Sequence, residues 1–248
     1  MELARTTFEG GDKLLVLLHG NSLGKDIFAP LVKSITHKYK IVLFDLPGHG
    51  DSPRSSNYSI RSFSQILAEN INQISGEKYI LAHSISGHLV FNALHLLKSI
   101  SGITCVGSPP LARLSDTLEA FTDIGKVMFK PDWSAAELEM IINSLSAAHK
   151  QTLESTFEKV DPGFRMALSD SSFMEGFRNE VEILNGAESP VNLVFSSDDP
   201  YLNPSYNQFL EAKLTNPLVK LFFLDWGGHA PFVKEPERFW NLLLKNCR

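Results

Sequence analysis

Short apolar runs alternate with longer amphipathic segments along most of the chain. Six runs are rich in Val, Ile, Leu and Phe and hardly alternate with polar residues, which is typical of parallel strands covered by helices on both faces. The segments between them carry apolar residues at helical spacing. We therefore expect strands over 13–18, 41–44, 79–82, 103–106, 191–195 and 219–224, and helices over 26–36, 60–74, 86–98, 205–214 and 236–245.

The alternation stops over residues 111–186, where only helical patterns occur, for example at 135–145 and 152–160. Strands that alternate with helices predict an α/β fold with a mostly parallel, doubly wound sheet. A helical insertion between two of its strands predicts a cap, or lid, over the carboxyl edge of the sheet, where open α/β sheets bind ligands. We thus expect a core built from residues 1–110 and 187–248, with a cap formed by 111–186.

The composition is close to that of an average globular protein, with 43% hydrophobic and 21% charged residues among 248. A net charge of −5 provides no basic footprint for nucleic acid or for an anionic membrane. The N-terminal residues lack the layout of a signal peptide, and the apolar runs are too short to span a bilayer. Two cysteines, Cys105 and Cys247, do not make a disulfide framework. These features predict a cytoplasmic protein with no membrane span and no nucleic-acid partner, and they leave its oligomeric state open.

Metal and cofactor motifs are missing from the sequence. It contains no His-x-x-x-His, no Cys-x-x-Cys, and no glycine-rich phosphate loop that opens a helix after a strand. We expect neither a metal nor a cofactor.

The strongest local signal is the segment Tyr-Ile-Leu-Ala-His-Ser-Ile-Ser-Gly-His at 79–88. An apolar strand runs into Ser84 and continues directly as a helix, so the serine hydroxyl would project above the sheet edge from a strained turn. Such a turn requires small residues on both sides of the serine, and Ala82 and Ser86 replace the more usual glycines there. The pattern predicts a nucleophile elbow, and the alternative is that Ser84 only caps the following helix.

Two further loops follow the first two expected strands. One carries Leu-His-Gly at 18–20, and the other carries Asp-Leu-Pro-Gly-His-Gly-Asp-Ser at 45–52. In this order, and together with His83 and Ser84, these motifs resemble the α/β-hydrolase superfamily over about residues 13–244. The resemblance implies a serine hydrolase with Ser84 as nucleophile. Asp45 and His49 also offer an acid and a base, but the resemblance implies a structural role for their loop.

The same resemblance implies that an acid and then a histidine follow the nucleophile along the chain. Asp199 aligns with the acid in the Ser-Ser-Asp-Asp segment after the strand over 191–195, and Asp198 is the alternative. Some relatives carry the acid after the strand equivalent to 103–106, where this chain has Gly-Ser-Pro-Pro and no carboxylate. His229, which follows two glycines after the last strand, is the expected general base.

The oxyanion hole is expected from backbone N–H groups rather than side chains. In hydrolases of this layout the residue after His-Gly and the residue after the nucleophile donate them, which here are Asn21 and Ile85. His19 is expected to be structural, hydrogen-bonded within its loop. For the substrate pocket we expect apolar residues of the cap, which alternatively only hold the cap together. These are Phe121, Met128, Phe129, Phe173 and Phe177.

The expected reaction is acyl transfer to water through an acyl-enzyme, with a small and largely apolar ester, thioester or lactone as substrate. Two alternatives stay open on the same three residues. One is a C–C bond hydrolase or an acyltransferase, and the other is a hydrolase-like receptor for a small molecule. Turnover separates them, because an enzyme cycles whereas a receptor binds its ligand or is acylated once.

Overall fold

A central sheet of seven strands organises the computed structural model, which describes residues 1–35 and 38–246. The strand order is β1-β3-β2-β4-β5-β6-β7, and every neighbouring pair is parallel except β1 with β3. The strands are β1 Arg5–Phe8, β2 Lys13–Leu18, β3 Tyr39–Phe44, β4 Lys78–His83, β5 Ile100–Val106, β6 Val191–Ser196 and β7 Val219–Leu224. This architecture confirms the α/β fold class expected from the sequence.

Twelve α-helices flank the sheet within the described residues. They are α1 Ala29–Ile35, α2 Ile60–Asn72, α3 Ile85–Ala93, α4 Thr117–Ala120, α5 Asp123–Val127, α6 Ala135–Ser146, α7 Lys150–Glu158, α8 Pro162–Ser169, α9 Glu180–Asn185, α10 Pro204–Lys213, α11 Pro231–Lys234 and α12 Pro236–Asn246. Short 3-10 helices lie at Lys25–Phe28, Leu114–Asp116, Ala147–His149 and Ser172–Met174. None of the described helices is both long enough and apolar enough to cross a bilayer.

Each of the six expected strands is present, with ends that differ by at most three residues. The sequence did not predict β1, which pairs antiparallel with β3 at the edge of the sheet. Its four residues are mostly exposed, so it carries no apolar run that would mark it as a strand. The expected end of the first helix at position 36 and the second cysteine, Cys247, lie outside the described residues. Cys105 is buried with a free thiol.

The two faces of the sheet are covered by different helices, which explains why the strands read as continuous apolar runs. Along β2, Val16 and Leu18 belong to one core cluster, which includes residues of α2, α3 and α10. Leu15 and Leu17 belong to a second cluster, which includes residues of α1, α11 and α12. Because successive side chains of a strand point to opposite faces, both faces need apolar residues.

The helices α4 to α9 lie between β5 and β6 in the chain, within the segment expected to form a cap. A reciprocal pair of hydrogen bonds joins the two ends of this segment. The Leu111 N–H donates to the Glu180 side chain, and the Glu180 N–H donates to the Leu111 carbonyl, both at 2.9 Å. We call this pair the Leu111–Glu180 clasp. The clasp holds the chain that precedes β6 next to the segment that follows β5.

Candidate active site

Ser84 lies on the turn between β4 and α3, in a backbone conformation that L-residues rarely adopt. Its φ is +54° and its ψ is −121°. The turn is held on both sides, because the Ser84 N–H donates to the Val106 carbonyl at 2.8 Å and its carbonyl accepts from the Gly87 N–H at 2.9 Å. A non-glycine residue in this region costs folding free energy, and such strain is concentrated at functional sites.

Close backbone approach around the turn accounts for its small residues. A Cβ at Gly20 would lie 3.2 Å from the Ser84 Cβ and 2.7 Å from a ring nitrogen of His83. Ser86 occupies a position that is usually glycine, and its hydroxyl donates to the His19 carbonyl at 2.5 Å. The departure from glycine thus adds a bond between the elbow and the loop after β2.

The loops after β6 and β7 bring a carboxylate to a histidine. The His229 Nδ1–H donates to Asp199 Oδ2 at 2.7 Å, and both residues are buried. The second carboxylate oxygen of Asp199 accepts from the Tyr201 N–H at 2.9 Å. Asp198, the alternative acid, instead accepts from the Gly228 N–H at 2.8 Å. The geometry therefore pairs Asp199 with the His229 ring, whereas Asp198 holds the loop that carries His229 through the backbone of Gly228.

Ser84 and His229 line one cavity at the carboxyl edge of the sheet. No hydrogen bond joins the Ser84 hydroxyl to the His229 ring within residues 1–35 and 38–246. Hydrogen bonds between nucleophile and base are often long in the ligand-free state and tighten when substrate binds. The arrangement thus brings the three expected residues together at the carboxyl edge of the sheet.

The His83 side chain contacts the loop that carries His229. Burial, followed by the neighbouring His229, holds the pKa of His83 well below its usual value, so the ring is neutral. Its Nε2–H donates to the His229 carbonyl at 2.9 Å, while Nδ1 is buried without a hydrogen-bond partner in the described chain.

The two expected oxyanion donors keep free N–H groups. Ile85 is the first residue of α3, where helix geometry leaves the N–H without an intrahelical acceptor. Within the part of the chain that the structure describes, neither its N–H nor that of Asn21 donates to another residue. The Asn21 side chain turns toward the helical segment between β5 and β6, where its Nδ2 donates to the Met128 carbonyl at 2.9 Å.

The residues expected to be structural are fully engaged in their loops. His19 donates from Nδ1 to the Gly20 carbonyl at 2.8 Å and accepts at Nε2 from the Leu46 N–H at 2.9 Å. Asp45 accepts from the backbone and the ammonium of Lys25 at 2.7 and 2.6 Å. His49 accepts from the Ser22 N–H at 3.3 Å.

The cavity around Ser84 is small and mostly apolar, with a volume of about 70 Å³. Four of the five apolar residues expected from the sequence line it, namely Phe121, Met128, Phe129 and Phe173. The fifth, Phe177, does not. It follows Gly176, whose φ of +82° turns the chain, and lines a separate surface groove with Arg61.

Tyr201 and His88 are among the cavity residues that the sequence did not anticipate as site residues. Tyr201 packs edge-on against the His229 ring, with centroids 4.8 Å apart, and its hydroxyl shares a hydrogen bond with Ser144 of α6. Burial raises the pKa of Tyr201 to about 12. His88 also lines the cavity. Its position four residues after Ser84, which places it on the same helix face, is the signal that would have found it.

Comparisons with known proteins agree with this architecture. The family model of the alpha/beta hydrolase fold matches residues 13–236. This chain therefore belongs to the α/β-hydrolase fold family.

Among individual proteins, the chain is 26% identical to a pimeloyl-[acyl-carrier protein] methyl ester esterase of Xanthomonas oryzae pv. oryzae, over 92% of each chain. It is 22% identical to the enzyme of that name from Nitrosomonas europaea, over 94% of each. A solved structure of the N-acyl homoserine lactonase AidH with N-butanoyl homoserine superposes with a TM-score of 0.84 at 22% identity, covering 99% of this chain and 92% of the other. Esterase RhEst1 from Rhodococcus sp. ECU1013 gives a TM-score of 0.76 at 20% identity, covering 98% and 94%.

Proposed function

We propose that this protein is a serine esterase that hydrolyses small, largely apolar carboxylic esters, thioesters or lactones. The observation that carries the proposal is the 2.7 Å hydrogen bond between His229 and Asp199 beside the strained Ser84, in one apolar cavity. Packing alone gives no reason to keep a serine in a strained conformation on the wall of an apolar cavity.

In the proposed mechanism His229 Nε2 takes the proton of the Ser84 hydroxyl as its oxygen attacks the carbonyl carbon. The N–H groups of Asn21 and Ile85 stabilise the oxyanion of the tetrahedral intermediate. Asp199 fixes the histidine tautomer and stabilises the imidazolium. His229 then gives the proton to the leaving alcohol, thiol or hydroxyl, which leaves an acyl-enzyme. A water molecule deprotonated by His229 releases the acid and regenerates Ser84.

The charge of the cap supports a free small molecule over an ester that an anionic carrier presents. Residues 111–186 contain thirteen Asp and Glu residues but only seven Lys and Arg residues. Like charges across an interface weaken association, so this surface disfavours docking of an acidic carrier. A reducing, cytoplasmic setting belongs to the proposal and is supported by the free thiol of Cys105.

The test is steady-state hydrolysis of p-nitrophenyl esters of increasing acyl length. We expect turnover to peak at a short chain because the cavity is small. Ser84→Ala should lower kcat by about three orders of magnitude or more, since the oxyanion hole alone retains only residual catalysis. Ser99→Ala is the matched control, because Ser99 also has a positive φ but is exposed and remote from the cavity.

The possible outcomes separate the proposed esterase from its alternatives. Turnover of wild-type protein that survives in Ser84→Ala would remove the serine from the mechanism. A single burst of p-nitrophenol without turnover would favour the receptor, whereas no reaction in folded protein would favour C–C hydrolysis or acyl transfer.

A further inference from the structure

One residue of the loop after β6 contacts both the acid and the base of the proposed triad. Tyr201 donates its backbone N–H to Asp199 Oδ1 at 2.9 Å. Its ring is buried and stands edge-on to the His229 imidazole, with an interplanar angle of 90° and centroids 4.8 Å apart. A single hydrogen bond to Asp199 leaves the imidazole able to turn about that bond, so neighbouring rings decide where its Nε2 points. The Tyr201 ring is one such neighbour, and the His83 ring, with its centroid 4.9 Å away, is another.

The Tyr201 side chain is itself tied to the helical segment between β5 and β6. Its hydroxyl shares a hydrogen bond with the hydroxyl of Ser144 in α6. Ser144 donates its own proton to the Ile141 carbonyl at 2.7 Å, so it accepts the proton of Tyr201. A buried tyrosine hydroxyl that donates to one defined acceptor fixes the position of its ring. The orientation of the Tyr201 ring is therefore set by α6.

The backbone of the same loop is held independently of this side chain. The Thr122 N–H donates to the Tyr201 carbonyl at 3.0 Å, and the Thr122 hydroxyl donates to the Pro200 carbonyl at 2.6 Å. Gly125 packs so closely that a Cβ there would lie 2.2 Å from the Tyr201 carbonyl oxygen. Removal of the Tyr201 hydroxyl should therefore leave the loop in place and release only the ring.

We propose that Tyr201 is a positioning residue, which holds the His229 ring in the orientation for proton transfer by means of its hydrogen bond to Ser144. This inference rests on the proposed ester hydrolysis at Ser84 and adds a residue to its machinery. Misalignment of a catalytic group lowers the rate steeply, because the reacting atoms must meet in a narrow range of geometry. Since the Tyr201 hydroxyl acts through His229 and not on the substrate, its loss affects kcat and leaves KM unchanged.

The kinetic test breaks the same hydrogen bond from both ends. Tyr201→Phe keeps the ring and removes the hydroxyl, and it should lower kcat for p-nitrophenyl butanoate by about tenfold, with KM within about twofold of wild type. Ser144→Ala should give the same loss. Ser144 is not among the described residues that line the cavity, so its effect cannot arise from a substrate contact. The double variant should be no slower than either single variant, because one bond can be lost only once.

A spectroscopic measurement follows the ring without any need for turnover. The His229 Nδ1 proton lies in the hydrogen bond to Asp199 and gives a downfield proton resonance, whose broadening reports motion of the ring. We expect this resonance to be sharp in wild-type protein and broad in Tyr201→Phe and Ser144→Ala. Stability alone would not change it, because both variants are compared in the folded state.

Tyr206→Phe is the matched control. Tyr206 is also buried, and its hydroxyl donates to the Pro110 carbonyl at 3.0 Å. It is not among the described residues that line the cavity. This variant therefore loses a comparable hydrogen bond of a buried tyrosine, and it should keep both the wild-type kcat and the sharp resonance.

Four results would overturn the positioning role. They are an unchanged kcat in Tyr201→Phe, losses that add in the double variant, an equal loss in Tyr206→Phe, and a resonance that stays sharp in both Tyr201→Phe and Ser144→Ala. Failure of the proposed esterase has a different signature. Wild-type protein would then hydrolyse no ester, whereas the His229 resonance would still broaden when the bond between Tyr201 and Ser144 is removed.

Discussion

Two adjacent aspartates after β6 hold the same histidine loop in different ways. Asp199 accepts from the His229 imidazole, whereas Asp198 accepts from the backbone N–H of Gly228. Gly227 and Gly228 both have positive φ, at +100° and +57°, so the loop depends on glycine conformations that the Asp198 contact stabilises. The Asp199 carboxylate thus contacts the imidazole ring, whereas the Asp198 carboxylate stabilises the backbone conformation of the loop.

This difference gives a prediction at the level of single atoms. Asp199→Asn should lower kcat by about 10⁴, because an amide in that position favours the wrong imidazole tautomer. Asp198→Asn keeps a carbonyl oxygen that accepts from the Gly228 N–H, and it should lose less than tenfold. Steady-state rates on the best p-nitrophenyl ester measure both. Equal losses in the two variants would contradict the assignment of Asp199 as the acid.

At the scale of elements, one residue of α8 connects the helical segment between β5 and β6 with the loop after β2. The Arg165 guanidinium is buried and donates to the Met128 carbonyl at 3.0 Å, to the Lys130 carbonyl and to the Ser22 hydroxyl at 3.2 Å. It also lies 3.9 Å above the Trp133 ring. Burial lowers its pKa to about 10, which still leaves it charged at neutral pH. Through Ser22 and the Met128 carbonyl, which Asn21 also contacts, Arg165 helps position the expected oxyanion loop.

Removal of this side chain should therefore affect both stability and catalysis. We expect Arg165→Met to lower the free energy of unfolding by about 1–3 kcal/mol, because buried carbonyls lose their donor. It should also lower kcat more than it raises KM, since the oxyanion loop loses a support that matters most in the transition state. Urea unfolding and ester kinetics provide the two measurements. Arg113→Met, which removes an exposed arginine of the cap segment, serves as the control.

The same elements show what a sequence can and cannot predict. The parallel strands were predictable because coverage on both faces forces a continuous apolar run, and their order along the chain fixed the loops that carry Ser84, Asp199 and His229. The edge strand β1 was not predictable, since exposure removes the apolar signal. Between β5 and β6, helical periodicity predicts helices but not their tertiary packing. Phe173 and Phe177 therefore looked equivalent, although only Phe173 reaches the cavity. His88 was overlooked because its partner Glu180 is ninety-two residues away along the chain.

At the scale of the whole molecule, buried histidines make stability depend on pH. Burial lowers the pKa values of His19, His49 and His83, that of His49 to about 3. In the folded state the His49 ring is therefore neutral at pH 5–6, and the pKa values of His19 and His83 also lie below about 6.5, where these rings protonate in the unfolded chain. The unfolded state then binds more protons, so acidification favours unfolding.

The free energy of unfolding should thus fall as the pH drops below about 6.5, with a slope of up to about 1.4 kcal/mol per pH unit for each buried histidine. For His49 the loss should continue down to about pH 3, its pKa in the folded state. Urea unfolding at half-unit steps from pH 8 to pH 5 measures this slope. Stability that stays constant between pH 7 and pH 5.5 would contradict the neutral, buried state of these rings.

The Leu111–Glu180 clasp has an evolutionary consequence. Leu111 follows β5, Glu180 precedes β6, and hydrogen bonds join the two residues. The length of the segment between them therefore does not alter the spacing of β5 and β6. The whole segment is therefore open to exchange for another of different size, provided that the new segment replaces the contacts of Arg165 and Met128 with the loop after β2. Chimaeras joined at Leu111 and Glu180 are therefore the natural units for directed recombination.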